Sequence, residues 1–289
     1  MEFFAALAEH GFLQAALVSG LLAAIGCGVI GTFVVVKRIT FLAGGIAHSV
    51  LGGMGAAVYF GLNPLAGAFI AALVAALLIG WVRLRWHTQE DTLIGALWAI
   101  GMAVGILFIA KTPGYQTDLM SYLFGNILLV SSSDLWLMAG LDVLLLLVVG
   151  LFFRQFFAIT FDEEFARLRG VPVSVFYIVL LLLVAVTVVL LIRVVGLILV
   201  IALLTLPAAI AGHYLHSLGS LMLVGTLLGA LFTTSGLVLS YGPDLPAGPT
   251  IILLAGSAYV LSAAISRALA DRRARRSVSG PLRRGARNG

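Results

Sequence analysis

The chain has 289 residues, of which 62% are hydrophobic and only 10% charged. Soluble globular chains carry about 25% charged residues, so a wholly water-facing surface is excluded and lipid must cover much of the molecule. The formal charge of +5 is uneven, because eight of the 17 basic residues crowd the C-terminal stretch from Arg267 to Arg287. That placement reads as a membrane-topology signal with some attraction to anionic lipid, and nucleic acid is not an expected partner.

A span needs about 20 apolar residues. Nine runs supply them: Phe12–Val36, Gly44–Phe60, Pro64–Val82, Thr92–Ala110, Leu135–Phe153, Val173–Ile192, Val195–Ala211, Leu218–Tyr241 and Pro249–Ile265. If Val173–Ala211 is not divided near Arg193, the count is eight. Glu2 and Glu9 open the chain without a basic residue, unlike a cleaved signal peptide, so the first run should stay in the membrane. The fold class expected is an all-α integral membrane protein, a polytopic helix bundle. Residues 1–270 form the transmembrane domain and 271–289 a basic disordered tail.

Basic residues follow alternate spans. Lys37 and Arg38 come after the first, Arg83, Arg85 and His87 after the third, Arg154, Arg167 and Arg169 after the fifth, and the tail after the ninth. With nine spans these fall on one side, so the positive-inside rule puts the C-terminus in the cytoplasm. Lys111 and Arg193 are the exceptions. The connection after Lys111 lies outside and should hold a short helix around Asp118–Asn126. The connection Arg154–Pro172 lies inside. It runs from acids through Arg to Gly170 and Pro172, the charge order and stop signal of another short helix.

Ionisable groups at membrane depth are costly and are therefore functional candidates. His48 is the clearest, alone in its span. Gly44, Gly45 and Gly52 lie at i−4, i−3 and i+4, on its own helical face. They leave that face free for an ion or for another helix. These three glycines are the candidate lining of an ion path, although tight helix packing explains small residues equally well. His213 and His216 share a face at i, i+3 but sit at a span end, where solvated histidines are common. Asp142 is a second polar residue in a core span. Asp118 and Asp244 belong to outer loops, where either could draw cations to an outer mouth or cap a helix. The lone Cys27 excludes an intrachain disulfide or a thiolate cluster and reads as a small packing residue.

Enzymatic readings fail. The chain has no His-Glu-x-x-His and no Gly-x-Ser-x-Gly. Gly105 to Thr112 imitates a phosphate-binding loop, but Ala110 replaces its second glycine and the stretch lies inside an apolar helix, whose amides cannot cradle phosphate. Any ATP hydrolysis belongs to another polypeptide.

Five segments in order resemble the permease subunits of bacterial zinc/manganese ABC importers. They are Arg38 to Gly53 around Gly44-Gly45-Ile-Ala-His48, then Asp118-Leu-Met-Ser-Tyr122-Leu-Phe-Gly125, then Phe161–Val173. The last two are Gly196 to Pro207-Ala-Ala and Asp244-Leu-Pro-Ala-Gly-Pro249. The resemblance implies an ABC importer permease in a bacterial inner membrane, moving zinc or manganese, with no permanently bound cofactor. It implies a second copy of the chain, an ATPase dimer on the cytoplasmic face and an extracytoplasmic metal-binding protein. The ATPase-coupling helix would comprise Phe161, Asp162, Glu163, Glu164, Phe165, Ala166, Arg167 and Gly170. His48 would be the metal ligand. One departure is that many family members carry Asp where this chain has Gly44. Loss of that carboxylate favours zinc over manganese, since imidazole suits zinc better. Two alternatives remain: a permease for a metal chelate of the cobalamin or siderophore type, and a stand-alone secondary transporter, which would place more charge at midplane.

Overall fold

Long apolar runs satisfy their backbone in lipid by becoming helices, and the described apolar runs of this chain do so. The structure, a computed structural model, describes residues 2–86, 90–112, 125, 127, 130–243 and 245–279. Among these residues there is no strand. The helices are α1 (Glu2–Glu9), α2 (Gly11–Val36), α3 (Thr40–Tyr59), α4 (Pro64–Trp86), α5 (Glu90–Lys111) and α6 (Ser132–Leu151). They continue as α7 (Phe153–Phe161), α8 (Glu163–Leu168), α9 (Val173–Val195), α10 (Leu197–Gly212), α11 (Leu218–Tyr241) and α12 (Ala247–Ser279). The short helix expected within 154–172 appears as α8, and a further helix, α7, precedes it. The one expected around Asp118 lies outside the described residues.

Among the described residues, eight helices are long and apolar enough to cross a membrane. The remaining expected run, Val195–Ala211, appears as α10, only 16 residues. Its junction with α9 falls at Gly196, close to the expected division near Arg193, and the φ of 78° there suits glycine. At the other terminus α12 runs past residue 270 to Ser279. The segment expected to be a disordered tail therefore begins as helix, because Ala and Arg are good helix formers.

Glycines set the helix spacing. On α2, a Cβ at Gly28 would overlap Thr226 of α11, and one at Gly31 would overlap the Leu204 carbonyl of α10. On α3, Gly53 meets Gly67 of α4 backbone to backbone, and Gly55 meets Gly105 of α5. The core thus centres on α2, α3, α9 and α10, while α5, α6 and α12 turn most of their surface outward. Successive spans alternate in direction, so Lys37, Arg83, α7 and α8 share one end of the bundle, called here the basic end.

Candidate functional site

The turn from α2 into α3 closes as a helix C-cap. Arg38 takes a left-handed conformation (φ 59°), its N–H donates to the Val35 carbonyl at 3.1 Å, and the Ile39 N–H donates to Val34 at 2.9 Å. This sharp turn sends α3 straight back into the bundle, with His48 two turns along it. The His48 side chain is buried, with the residue 9% exposed. Its ring stacks on Trp98 of α5, centroids 3.9 Å apart and planes 13° from parallel. Its Nδ1 lies 3.1 Å from the Met102 Sδ, one helical turn beyond Trp98.

The glycine strip expected to open a path is closed within the protomer by α5. A Cβ at Gly44 would sit 2.9 Å from Trp98 Cζ3, one at Gly45 would overlap Ile94, and one at Gly52 would sit 2.9 Å from the Gly101 carbonyl. Gly101-x-x-x-Gly105 is itself a small-residue pattern, and two such strips let helices approach closely. Trp98 also accounts for Gly44, since its ring fills the place a side chain there would need. His48 keeps one imidazole and one thioether as neighbouring donors, both neutral and soft. Among the described residues no group of three or more His, Cys, Asp or Glu side chains converges to hold a metal. The described residues of one protomer therefore offer at most an incomplete, weak site.

The other candidates are scattered. His213 Nδ1 lies 2.9 Å from Ser262 Oγ on α12, while His216 is exposed, so the two histidines do not assemble as a pair. Asp142 is buried on α6 with its Oδ2 lacking a hydrogen-bond partner, and it borders α2 at Gly26, away from His48. Cys27 is buried and apolar in its setting. Asp118, Asp244 and His87 lie outside the described residues.

At the basic end, Asp162 breaks the helix between α7 and α8 and caps the latter, accepting from the Phe165 N–H at 2.8 Å. α8 has two faces. Ala166 is buried and Glu163 turns inward, whereas Glu164, Phe165, Arg167 and Leu168 are exposed, Leu168 at 87%. Phe161 is exposed beside them. Apolar side chains held outward at the end of a bundle, among charges, form a surface suited to a partner. Glu163 instead bonds Lys37 and Arg83. Burial would raise the Glu163 carboxyl, but the Lys37 hydrogen bond and the charges of Lys37, Arg83 and Arg167 outweigh it and hold it below the usual range. Burial pulls Lys37 below the usual lysine range, against the hydrogen bond that it donates to Glu163.

An eight- or nine-span bundle built on glycine contacts and capped by a short amphipathic helix has a counterpart among known families. The profile of the ABC 3 transport family matches residues 9–266. This chain belongs to that family. As an ABC 3 family member it is similar over most of its length to curated relatives. An uncharacterized membrane protein of Synechocystis is 48% identical, covering 90% of this chain and 92% of that one. A manganese import system permease of Streptococcus parasanguinis is 34% identical, covering 90% and 93%. Among solved structures, PsaBC from Streptococcus pneumoniae in complex with Fab superposes with a TM-score of 0.82 at 33% identity, covering 90% of this chain and 94% of that one. The ABC 3 family fold is thus shared along the whole bundle. Neither Trp98, Met102 nor the Lys37–Arg83 pair stood out in the sequence. The signals that could have found the first two were the i, i+4 spacing of Trp98 and Met102 and the Gly101/Gly105 strip beside them.

Proposed function

We propose that this chain is the membrane-spanning subunit of an ATP-driven importer for a divalent transition-metal ion. His48 is the group that handles the ion. The observation that carries the reading is a buried imidazole two turns inside a span, set against a thioether and an aromatic face with no ionic partner beside it among the described residues. Such a placement is costly unless the group has a task. One imidazole per protomer, doubled across a pair of copies, gives fewer than the four ligands of a structural zinc site. Weak binding of that kind permits release as well as entry.

The basic end faces the cytoplasm of a bacterial inner membrane, where the outward side chains Phe161, Glu164, Phe165 and Leu168 meet an ATPase dimer. The opposite end receives the ion from an extracytoplasmic metal-binding protein. Zinc fits the neutral nitrogen and sulfur donors at His48 better than manganese does, while a manganese import permease among the relatives supports manganese as the second candidate. The test is uptake of Zn²⁺ and of Mn²⁺ into proteoliposomes holding the chain with its ATPase. His48→Ala should abolish uptake of the cargo while the ATPase still copurifies, and His213→Ala should leave it unchanged. Uptake by His48→Ala at the wild-type rate would make His48 a packing residue and overturn the assignment.

A further inference from the structure

We infer that Glu163 does not dock the partner but is a positioning residue for transport, locking the outward-facing helix α8 to the ends of α2 and α4. The inference rests on the reading of the basic end as the ATPase-facing end.

The geometry is a convergence of five elements. Glu163 Oε1 accepts from Lys37 Nζ at 2.8 Å and from Arg83 Nη2 at 3.2 Å. Lys37 ends α2, and the same Nζ donates to the Ile159 carbonyl on α7 at 2.5 Å. It therefore bridges the break between α7 and α8. Arg83, near the end of α4, donates through Nη1 to the Tyr177 hydroxyl of α9 at 2.9 Å and lies 4.2 Å from that ring's centroid. Tyr177 is buried. The Lys37 side chain is only 5% exposed. Charge pairs sheltered in this way are screened less than surface pairs. An Arg that donates to two separate acceptors and lies over an aromatic ring has little freedom to turn.

Both clamped helices border α3. Lys37 is separated from Thr40, the first residue of α3, only by the tight cap at Arg38 and Ile39. α4 meets α3 backbone to backbone at Gly67 and Gly53. A push on Phe165 and Leu168 from outside is therefore delivered through one carboxylate to two helices joined to the His48 helix, α2 through the tight cap and α4 through the glycine contact. Without that carboxylate, α8 can shift on its own and the push is lost.

The test uses the full complex of the chain with its ATPase, reconstituted in proteoliposomes. Zn²⁺ and Mn²⁺ uptake and ATP hydrolysis are measured in the same vesicles. Glu163→Gln should still copurify with the ATPase, yet ions moved per ATP hydrolysed should fall by tenfold or more. Phe165→Ala should instead weaken copurification. Lys37→Arg, which keeps charge and donors, should retain most of the wild-type ratio. A purely structural role would lower the amount of assembled complex and leave ions per ATP unchanged, and that result overturns the inference. Loss of ATPase copurification in Glu163→Gln also overturns it, since Glu163 would then be a docking residue. Should Glu163→Gln not accumulate, Arg83→Met, which leaves the Lys37–Glu163 pair in place, is judged by the same ratio. If the wild-type complex itself shows no ATP-dependent uptake of either ion, the underlying importer reading fails instead.

Discussion

Gly101 is one of the points at which the His48 helix and α5 meet in close contact, and adding one methyl group there tests the packing directly. A Cβ on Gly101 would lie 2.5 Å from Ser49 Cα and 3.2 Å from the His48 carbonyl. Carbon atoms pack at about 3.5–4.0 Å, so α5 must retreat from α3 by roughly 1 Å. The facing atoms belong to helical backbone and cannot swing aside. Overpacking of this kind costs about 1–3 kcal/mol. Glycine to alanine inside a helix also gains about 1 kcal/mol in propensity, which would mask part of the cost. Gly95, on the same helix with nothing within 4 Å of its would-be Cβ, supplies the correction. The difference between Gly101→Ala and Gly95→Ala isolates the clash, and Gly101→Ala should be the less stable by about 1–3 kcal/mol. Thermal unfolding of the two variants in detergent measures it. The same retreat would part the imidazole from Trp98, so ion uptake by Gly101→Ala should fall while Gly95→Ala retains it. Equal unfolding temperatures and equal uptake would show that the two helices do not approach as described.

Met102→Leu keeps the volume of the side chain but removes the sulfur beside Nδ1, so stability should change by less than about 1.5 kcal/mol while ion uptake falls about tenfold, as for other groups that orient a ligating histidine; unchanged uptake would leave Met102 as filler. The Glu163 carboxyl is held below its ordinary value of 4.5, so its contribution to stability is complete above that value and disappears as pH falls through the lower, folded-state range. The unfolding temperature of the wild type should therefore drop on acidification below about pH 4.5, and Glu163→Gln should start lower at neutral pH and drop less; parallel pH curves for the two proteins would contradict the pairing.

The transmembrane helices could be read from the chain because hydropathy and lipid act residue by residue. Each run of about 20 apolar residues had to become a helix wherever it packed. Gly170 and Pro172 likewise announced the end of α8. What escaped sequence reading depends on which helices become neighbours. Lys37 and Glu163 are 126 positions apart, and Lys37 looked only like a topology marker. His48 and Met102 are 54 apart. Gly44, Gly45 and Gly52 showed that something could come close to His48, but local spacing holds no information on whether an ion or a helix does so. The answer lay in the matching strip on α5, whose pairing with α3 no single segment specifies. His213 and His216 had suitable spacing, yet the bundle turned one toward Ser262 and left the other exposed.

The short helix α10 has a bearing on how the protein meets membranes of different thickness. Its 16 residues rise only about 24 Å, against a hydrocarbon core of about 30 Å. A helix exposed to acyl chains would have to thin the bilayer to reconcile the two lengths. α10 does not meet acyl chains along most of its length, because Leu199, Val200, Leu203 and Leu204 are fully enclosed by protein. Hydrophobic mismatch therefore acts on the outer helices α5, α6 and α12, while the inner wall of the bundle keeps a length of its own. The lipid chain length that seats the protein and the depth of its central helices are set by different residues.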